Sequence, residues 1–149
     1  MILVAGLPAS GKSTLARSLA SNKSILEFDS LASEYGSYAD LNEERSQAER
    51  IFVNRIRAIK PSIVVDSFHS RMARNAVASI LPFISDIIIV SCPIEVCLMR
   101  NMMRRSMVSN DEIIHMSMAW EPISLKEGYN AIYMYDSVLN VMECIDRRK

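Results

Sequence analysis

The feature that most constrains this chain is the run Gly6-Leu7-Pro8-Ala9-Ser10-Gly11-Lys12-Ser13. It follows the apolar stretch Ile2-Leu3-Val4-Ala5 and precedes Leu15, Ala16, Leu19 and Ala20, which fall at helical spacing. A short apolar run ending at glycine reads as a buried parallel strand, so the segment must carry the chain from strand into helix. It fits the pattern G-x-x-x-x-G-K-[ST] in the context where that pattern has a physical meaning. Glycines allow successive N–H groups to converge on one anion, and the helix N-terminus adds a partial positive charge. The loop from Gly6 through Leu7, Pro8, Ala9, Ser10 and Gly11 into Lys12, Ser13 and Thr14 is therefore expected to hold the phosphates of a nucleoside triphosphate. In this reading Lys12 reaches the β- and γ-phosphates and the Ser13 hydroxyl supplies one Mg²⁺ ligand. ATP and Mg²⁺ are the expected cofactors.

Beyond the loop, strands and helices alternate. Strands are expected over Ile25–Phe28, Ser62–Asp66, Asp86–Val90 and Ala131–Tyr135. Helices are expected from Asn42 to the stop at Pro61, over Arg71–Leu81, Ile94–Arg105, Asp111–Trp120 and Ser137–Arg147. Ser30 to Asp40, with Gly36, several serines and two tyrosines, reads as a surface excursion. The alternation predicts an α/β, three-layer fold: a mainly parallel sheet with helices on both faces and a small helical lid near residues 100–120. Residues 1–149 read as a single domain.

The 149 residues carry 17 Lys and Arg against 17 Asp and Glu, which argues against a tail-driven nucleic-acid binder but leaves room for a local basic groove. No apolar run has membrane-spanning length, the N-terminal run lacks a basic flank, and Cys92, Cys97 and Cys144 form no CxxC pair. A cytoplasmic protein with reduced thiols and no membrane partner is the expectation. The ten methionines read as core and lid filler. A GTPase would need an Asn-Lys-x-Asp guanine reader and a DxxG switch, and neither occurs. What remains is a small phosphoryl-transfer enzyme or a nucleotide-binding module without chemistry.

Phosphoryl transfer needs a carboxylate to orient or deprotonate the acceptor hydroxyl, and charge to meet the transferring group. Asp29 and Asp66 end the second and third strand candidates, where an open α/β sheet binds its ligand. Asp29 is the candidate general base; Asp66 is the Mg²⁺-associated acid, acting through water. Arg100, Arg104 and Arg105 follow the fourth strand, with Arg100 and Arg104 one helical turn apart. Planar guanidinium groups suit phosphate oxygens, so Arg100 and Arg104 are expected to close over the nucleotide as part of a lid. Directly after Asp66, His69, Arg71 and Arg74 are candidate acceptor-pocket residues.

Gly6–Thr14, Asp29 and the segment Asp66-Ser67-Phe68-His69-Ser70-Arg71 together resemble the P-loop kinases related to phage polynucleotide 5′-kinase. Leu98–Arg105 is similar to that family's lid entrance, and Trp120-Glu121-Pro122 with Glu127-Gly128-Tyr129 to its segment after the lid. The resemblance implies that Lys12 and Ser13 hold phosphates and Mg²⁺, Asp29 activates the acceptor, Arg104 stabilises the transferring phosphate, and Asp66 and Arg71 face the acceptor. Two departures, Glu27-Phe28-Asp29-Ser30 without an arginine and Ser67-Phe68 in place of Thr-Asn, both fall on the acceptor side. The expected acceptor is a hydroxyl on nucleic acid, either a 5′ end or a hydroxymethylated base. A nucleoside or other small-molecule alcohol is the alternative.

Overall fold

The computed structural model describes residues 1–34, 43–80, 86–104 and 108–149. In chain order the elements are β1 (Ile2–Gly6), α1 (Lys12–Ala20), β2 (Ile25–Glu27), α2 (Phe28–Glu34), α3 (Glu43–Ile59), β3 (Ile63–Val65) and α4 (Arg71–Ala78). They continue with β4 (Asp86–Ser91), α5 (Ile94–Met102), α6 (Asn110–Met118), a short 3-10 turn (Leu125–Glu127), β5 (Ala131–Asp136) and β6 (Val141–Arg147). The sheet runs β2-β3-β1-β4-β5-β6, with the first five strands parallel and β6 antiparallel.

The apolar runs that read as strands are buried on both faces because helices cover both. Leu3, Ala5, Val64 and Ile87 share a core with Phe28 and Leu31 of α2, Phe52 and Ile56 of α3 and Val77 of α4. Phe28 and Phe52 meet edge to face at 5.2 Å. Val4, Ile63, Val65, Ile88 and Val90 point the other way, onto Leu15, Ala16 and Ala20 of α1. The result is the expected three-layer arrangement. The strand order reverses direction at β1, between β3 and β4, and the glycine-rich loop leaves the carboxyl end of β1 at that switch point.

Three expectations are corrected. The helix expected over Ser137–Arg147 is a turn followed by β6. Val138, Val141, Met142 and Ile145 fit a helical stripe, yet the Asp136 carboxylate accepts the N–H groups of Val138 and Leu139 at 2.8 and 2.9 Å and Asn140 adopts φ 57°. Those local bonds close a hairpin before a helix can start. Second, Asp29 does not end a strand: β2 stops at Glu27 and Asp29 sits in the first turn of α2. The excursion expected from Ser30 thus begins as helix, and its remainder from residue 35 lies outside the described residues. Third, α5 ends at Met102 rather than Arg105. Buried Asn101 exchanges two hydrogen bonds with the backbone of Val108, Nδ2 to O at 2.7 Å and N to Oδ1 at 3.2 Å, which pins the two ends of the intervening loop together. Arg105 and the expected helix end at Leu81 lie outside the described residues.

Replacing Asn101 with leucine keeps the branched outline of the side chain but orphans the N–H and C=O of Val108. The expected loss is about 1–3 kcal/mol, read from the urea midpoint, and an unchanged midpoint would show that Asn101 does not hold the lid loop.

Candidate active site

Gly6 permits the loop to fold back on its own strand. A Cβ there would lie 2.7 Å from Ser10 Oγ and 3.0 Å from the carbonyl of Val90. Ala9 and Gly11 take φ of 61° and 106°, the left-handed region, so the loop's N–H groups turn inward instead of alternating outward. Gly11 is the N-cap of α1 and Lys12 its first residue, so the backbone donors and the helix dipole meet at one point. Ser13 is half-buried and Thr14 exposed in the same first turn. Leu7 accepts the N–H of Ser10 at 3.1 Å, and Pro8 is buried beneath the loop.

Lys12 is buried, with Nζ donating to the Leu7 carbonyl at 2.7 Å. Burial holds its pKa below the usual lysine value; the nearby Asp29 and Asp66 carboxylates oppose that shift, and Arg104 adds to it. A desolvated cation, a cradle of inward N–H groups and a fully buried Ser10 hydroxyl without a protein partner fit a polyphosphate. Hard oxygen donors at Ser13 and Asp66 fit Mg²⁺.

Asp29 and Arg104 form an ion pair at 3.7 Å, with both side chains partly exposed. The structure thus brings α2 and the segment after α5 together above Lys12. Arg100 is placed differently from a side chain reaching into a cleft. Its Nη1 donates to the Ser10 carbonyl at 3.2 Å and to Ser137 Oγ at 3.1 Å, so it ties the phosphate loop to the β5–β6 turn. Asp66 continues the β1–β3 pairing, its N–H on the Val4 carbonyl at 3.3 Å, and its carboxylate accepts the Ser67 N–H at 2.6 Å.

The acceptor-side candidates separate. His69 is half-buried with Nδ1 3.2 Å from Ser67 Oγ, and Arg71 is exposed at the start of α4. Arg74 is instead wholly interior. Its guanidinium is paired with Glu127 at 2.7 and 3.1 Å and also donates to the carbonyls of Phe68 and Pro122 at 2.8 and 3.2 Å. With every nitrogen engaged and no exposed surface, it braces the acceptor-side turn rather than lining it. Glu121 closes the same junction: its carboxylate accepts the Arg71 N–H and its own N–H donates to the His69 carbonyl at 2.8 Å. The turn it holds contains Phe68 at φ 47°, a conformation unfavourable for a bulky residue.

Sequence reasoning did not single out Ser137, Asn101 or the bracing role of Glu121 and Glu127. Glu121 and Glu127 did carry the resemblance; their partners lie about 50 residues away in the chain, beyond any local pattern.

The sheet order and the loop at the switch point define a P-loop kinase fold. The chain belongs to the AAA domain family (AAA_33), which matches residues 1–120. Among solved structures it is similar to a sugar kinase from a Janibacter species, at 19% identity and TM-score 0.70 over 92% of this chain and 84% of that one. It is also similar to a gluconokinase from Sinorhizobium meliloti, at 18% identity and TM-score 0.67 over 94% and 86%. A Pnkp1/Rnl/Hen1 complex matches at 17% identity and TM-score 0.54 over 66% of this chain and 38% of that one. No curated protein matches the chain. At these identities the structural likenesses establish the fold.

Two outcomes follow from the buried charges. Arg74→Met leaves the Glu127 carboxylate buried without its partner and should cost about 3–5 kcal/mol in chemical denaturation, much of it recovered in the double variant Arg74→Met/Glu127→Leu. Lys12→Met removes a desolvated charge, so the nucleotide-free chain should melt no lower than the parent while the rise in Tm with ATP and Mg²⁺ disappears. A retained ATP-induced rise would remove Lys12 from the phosphate site.

Proposed function

We propose that this protein is an ATP- and Mg²⁺-dependent kinase that passes the γ-phosphate to a hydroxyl group on nucleic acid. The observation that carries the kinase reading is the convergence of Lys12, Asp29, Asp66 and Arg104 at the carboxyl end of the sheet. A nucleotide-binding module without chemistry has no use for an exposed carboxylate paired to a lid arginine beside its phosphate loop.

In this reading the N–H groups of Ala9 and of Gly11 to Ser13, with the Lys12 ammonium, bind the β- and γ-phosphates. Ser13 and Asp66 would hold Mg²⁺, which would supply positive charge for the phosphate oxygens. Arg100 fixes the loop against the β5–β6 turn on the nucleotide side. Asp29 accepts the proton of the acceptor hydroxyl as that oxygen attacks phosphorus. Arg104 leaves Asp29 when the triphosphate binds and turns to the transferring phosphoryl group, where a two-pronged guanidinium matches charge spread over several oxygens. His69 and Arg71 line the acceptor side, and Arg74 acts on it through Phe68.

The nucleic-acid acceptor rests on the resemblance carried by Asp66–Arg71 and by Trp120–Tyr129. A second reading, a sugar or other small alcohol as acceptor, is supported by the two fold neighbours described as a sugar kinase and a gluconokinase, 84% and 86% of whose chains are covered. Incubation with γ-labelled ATP and a panel of 5′-hydroxyl oligonucleotides, hydroxymethylated DNA, nucleosides and polyols separates them. Label on a nucleic-acid product is expected; label confined to a small polyol would replace the first reading with the second.

Asp29→Asn keeps the shape but removes the base, and should lower kcat by about 10²- to 10⁴-fold with ATP affinity nearly unchanged. Arg104→Ala should likewise reduce kcat far more than ATP binding, and Arg104→Lys should restore only part of it. Normal turnover in both Asp29→Asn and Arg104→Ala would overturn these roles.

A further inference from the structure

Two of the three thiols lie together beside the phosphate loop, and the proposed mechanism uses neither. Pro93 is the N-cap of α5, so Cys92 precedes the cap and Cys97 is the fourth helical residue. Those two positions pack against each other at a helix start, where they usually carry an apolar staple. Here both positions carry a thiol. Cys97 is wholly buried, with Sγ 3.9 Å from the Cys92 carbonyl. Burial, and then its hydrogen bond to Cys92, push the Cys97 thiol up to about 12, so it keeps its proton. Cys92 is the accessible member, and the Arg100 guanidinium donates to its sulfur at 3.6 Å. An accessible sulfur beside a fixed cation, backed by a buried protonated thiol, divides the pair into an attacking and a resolving cysteine.

We propose that Cys92 is an oxidation site, resolved by Cys97 into an intramolecular disulfide that weakens nucleotide binding. The Cys92 thiolate attacks the terminal oxygen of a hydroperoxide. The O–O bond breaks, Cys92 becomes a sulfenic acid and the alkoxide or hydroxide leaves to take up a proton. The Cys97 sulfur then attacks the sulfenic sulfur, the S–O bond breaks, and the departing hydroxide combines with the Cys97 proton as water. Overall two thiols and one hydroperoxide give one disulfide, one water and one alcohol, or two waters when the oxidant is hydrogen peroxide.

The consequence for the site runs through one guanidinium nitrogen. Arg100 Nη1 donates to Cys92 Sγ, to the Ser10 carbonyl and to Ser137 Oγ. Drawing the Cys92 sulfur toward Cys97 takes away one of the acceptors that aim this nitrogen at the phosphate loop. This step rests on the nucleotide reading above; the thiol chemistry does not.

The test uses the full chain carrying Cys144→Ser, which removes the exposed third thiol and with it disulfides between molecules. Treatment with hydrogen peroxide, followed by alkylation and intact mass measurement, should give a monomer two hydrogens lighter with no alkylated thiol, and a peptide linking residues 92 and 97. Adding Cys97→Ser should stop the reaction at the sulfenic acid, trapped as a dimedone adduct on Cys92. The disulfide form should bind ATP about 3- to 10-fold more weakly, the equivalent of one lost hydrogen bond, and recover with dithiothreitol. Both thiols remaining alkylatable, or Cys97 oxidising equally fast in a Cys92→Ser chain, would overturn the proposed site. Unchanged ATP affinity in the disulfide form would overturn the coupling. A reduced chain that fails to bind ATP at all would instead refute the nucleotide reading while leaving the mass result intact.

Discussion

Lys12 carries its charge inside the protein, where desolvation disfavours the ammonium and the Asp29 and Asp66 carboxylates across the site offset part of that cost. The arrangement requires a rigid frame. The loop beneath Lys12 can hold its inward N–H groups only because β1 is buried on both faces between β3 and β4, and because Gly6 lets the chain pass within contact distance of Val90. Ala9 accepts a left-handed conformation in the same loop. Strain and buried charge are both unfavourable, and a polyphosphate would offset the second of them directly. The residues that build this frame belong to the phosphate side, and they would serve any nucleotide-dependent chemistry.

The acceptor side depends on a second buried charge of a different kind. Arg74 and Glu127 neutralise each other, and the guanidinium spends its remaining donors on the Phe68 and Pro122 carbonyls. Replacing such a pair with apolar residues often costs little stability, so its value lies in what it positions. It fixes the carbonyl of a residue at φ 47°, two positions after Asp66, against the segment that follows the lid. Glu121 adds a second tie through His69 and the α4 N-terminus. The departure that sets this chain apart from the kinases it resembles, Ser67-Phe68, falls in the turn these ties hold. Phe68 substitutes core burial for the local hydrogen bonding that eases a left-handed conformation in asparagine, and the Arg74 bond to its carbonyl keeps the turn in place.

The fold class and the glycine-rich loop were legible in the sequence because each is a local signal: a glycine-lysine spacing and β-branched runs. The start of α6 is likewise set locally, where Ser109 accepts the Glu112 N–H at 3.2 Å. Bonds between distant segments were not legible. Nothing near Arg74 in the chain distinguishes a buried brace from a substrate-facing cation, since its partner is Glu127. Asn101 likewise reads as an ordinary helix residue, although its amide meets the backbone of Val108 and ends α5 early. Arg100 reads in the sequence as a nucleotide-side cation, and the acceptors that orient it belong to the phosphate loop and to the β5–β6 turn.

That last contact joins the misread end of the chain to the site. Residues 137–147 carry apolar side chains at a helical period, and in isolation that pattern outweighs the hairpin. The outcome is decided by Asp136, whose carboxylate takes the next two free N–H groups, and by Asn140, whose side chain accepts from the Tyr135 hydroxyl at 2.8 Å. Ser137 N–H meanwhile continues the β4–β5 pairing onto the Ser91 carbonyl at 3.0 Å. The turn therefore holds Ser137 beside Gly11, with its Cβ 3.4 Å from where a glycine Cβ would stand, and presents its hydroxyl to Arg100. A helix beginning at Ser137 would commit that carbonyl to its own ladder and take it from Arg100 Nη2, which donates to it at 3.5 Å. The local chemistry of Asp136 and Asn140 thus decides more than the secondary structure of an exposed edge strand: it sets the wall against which the phosphate loop is held.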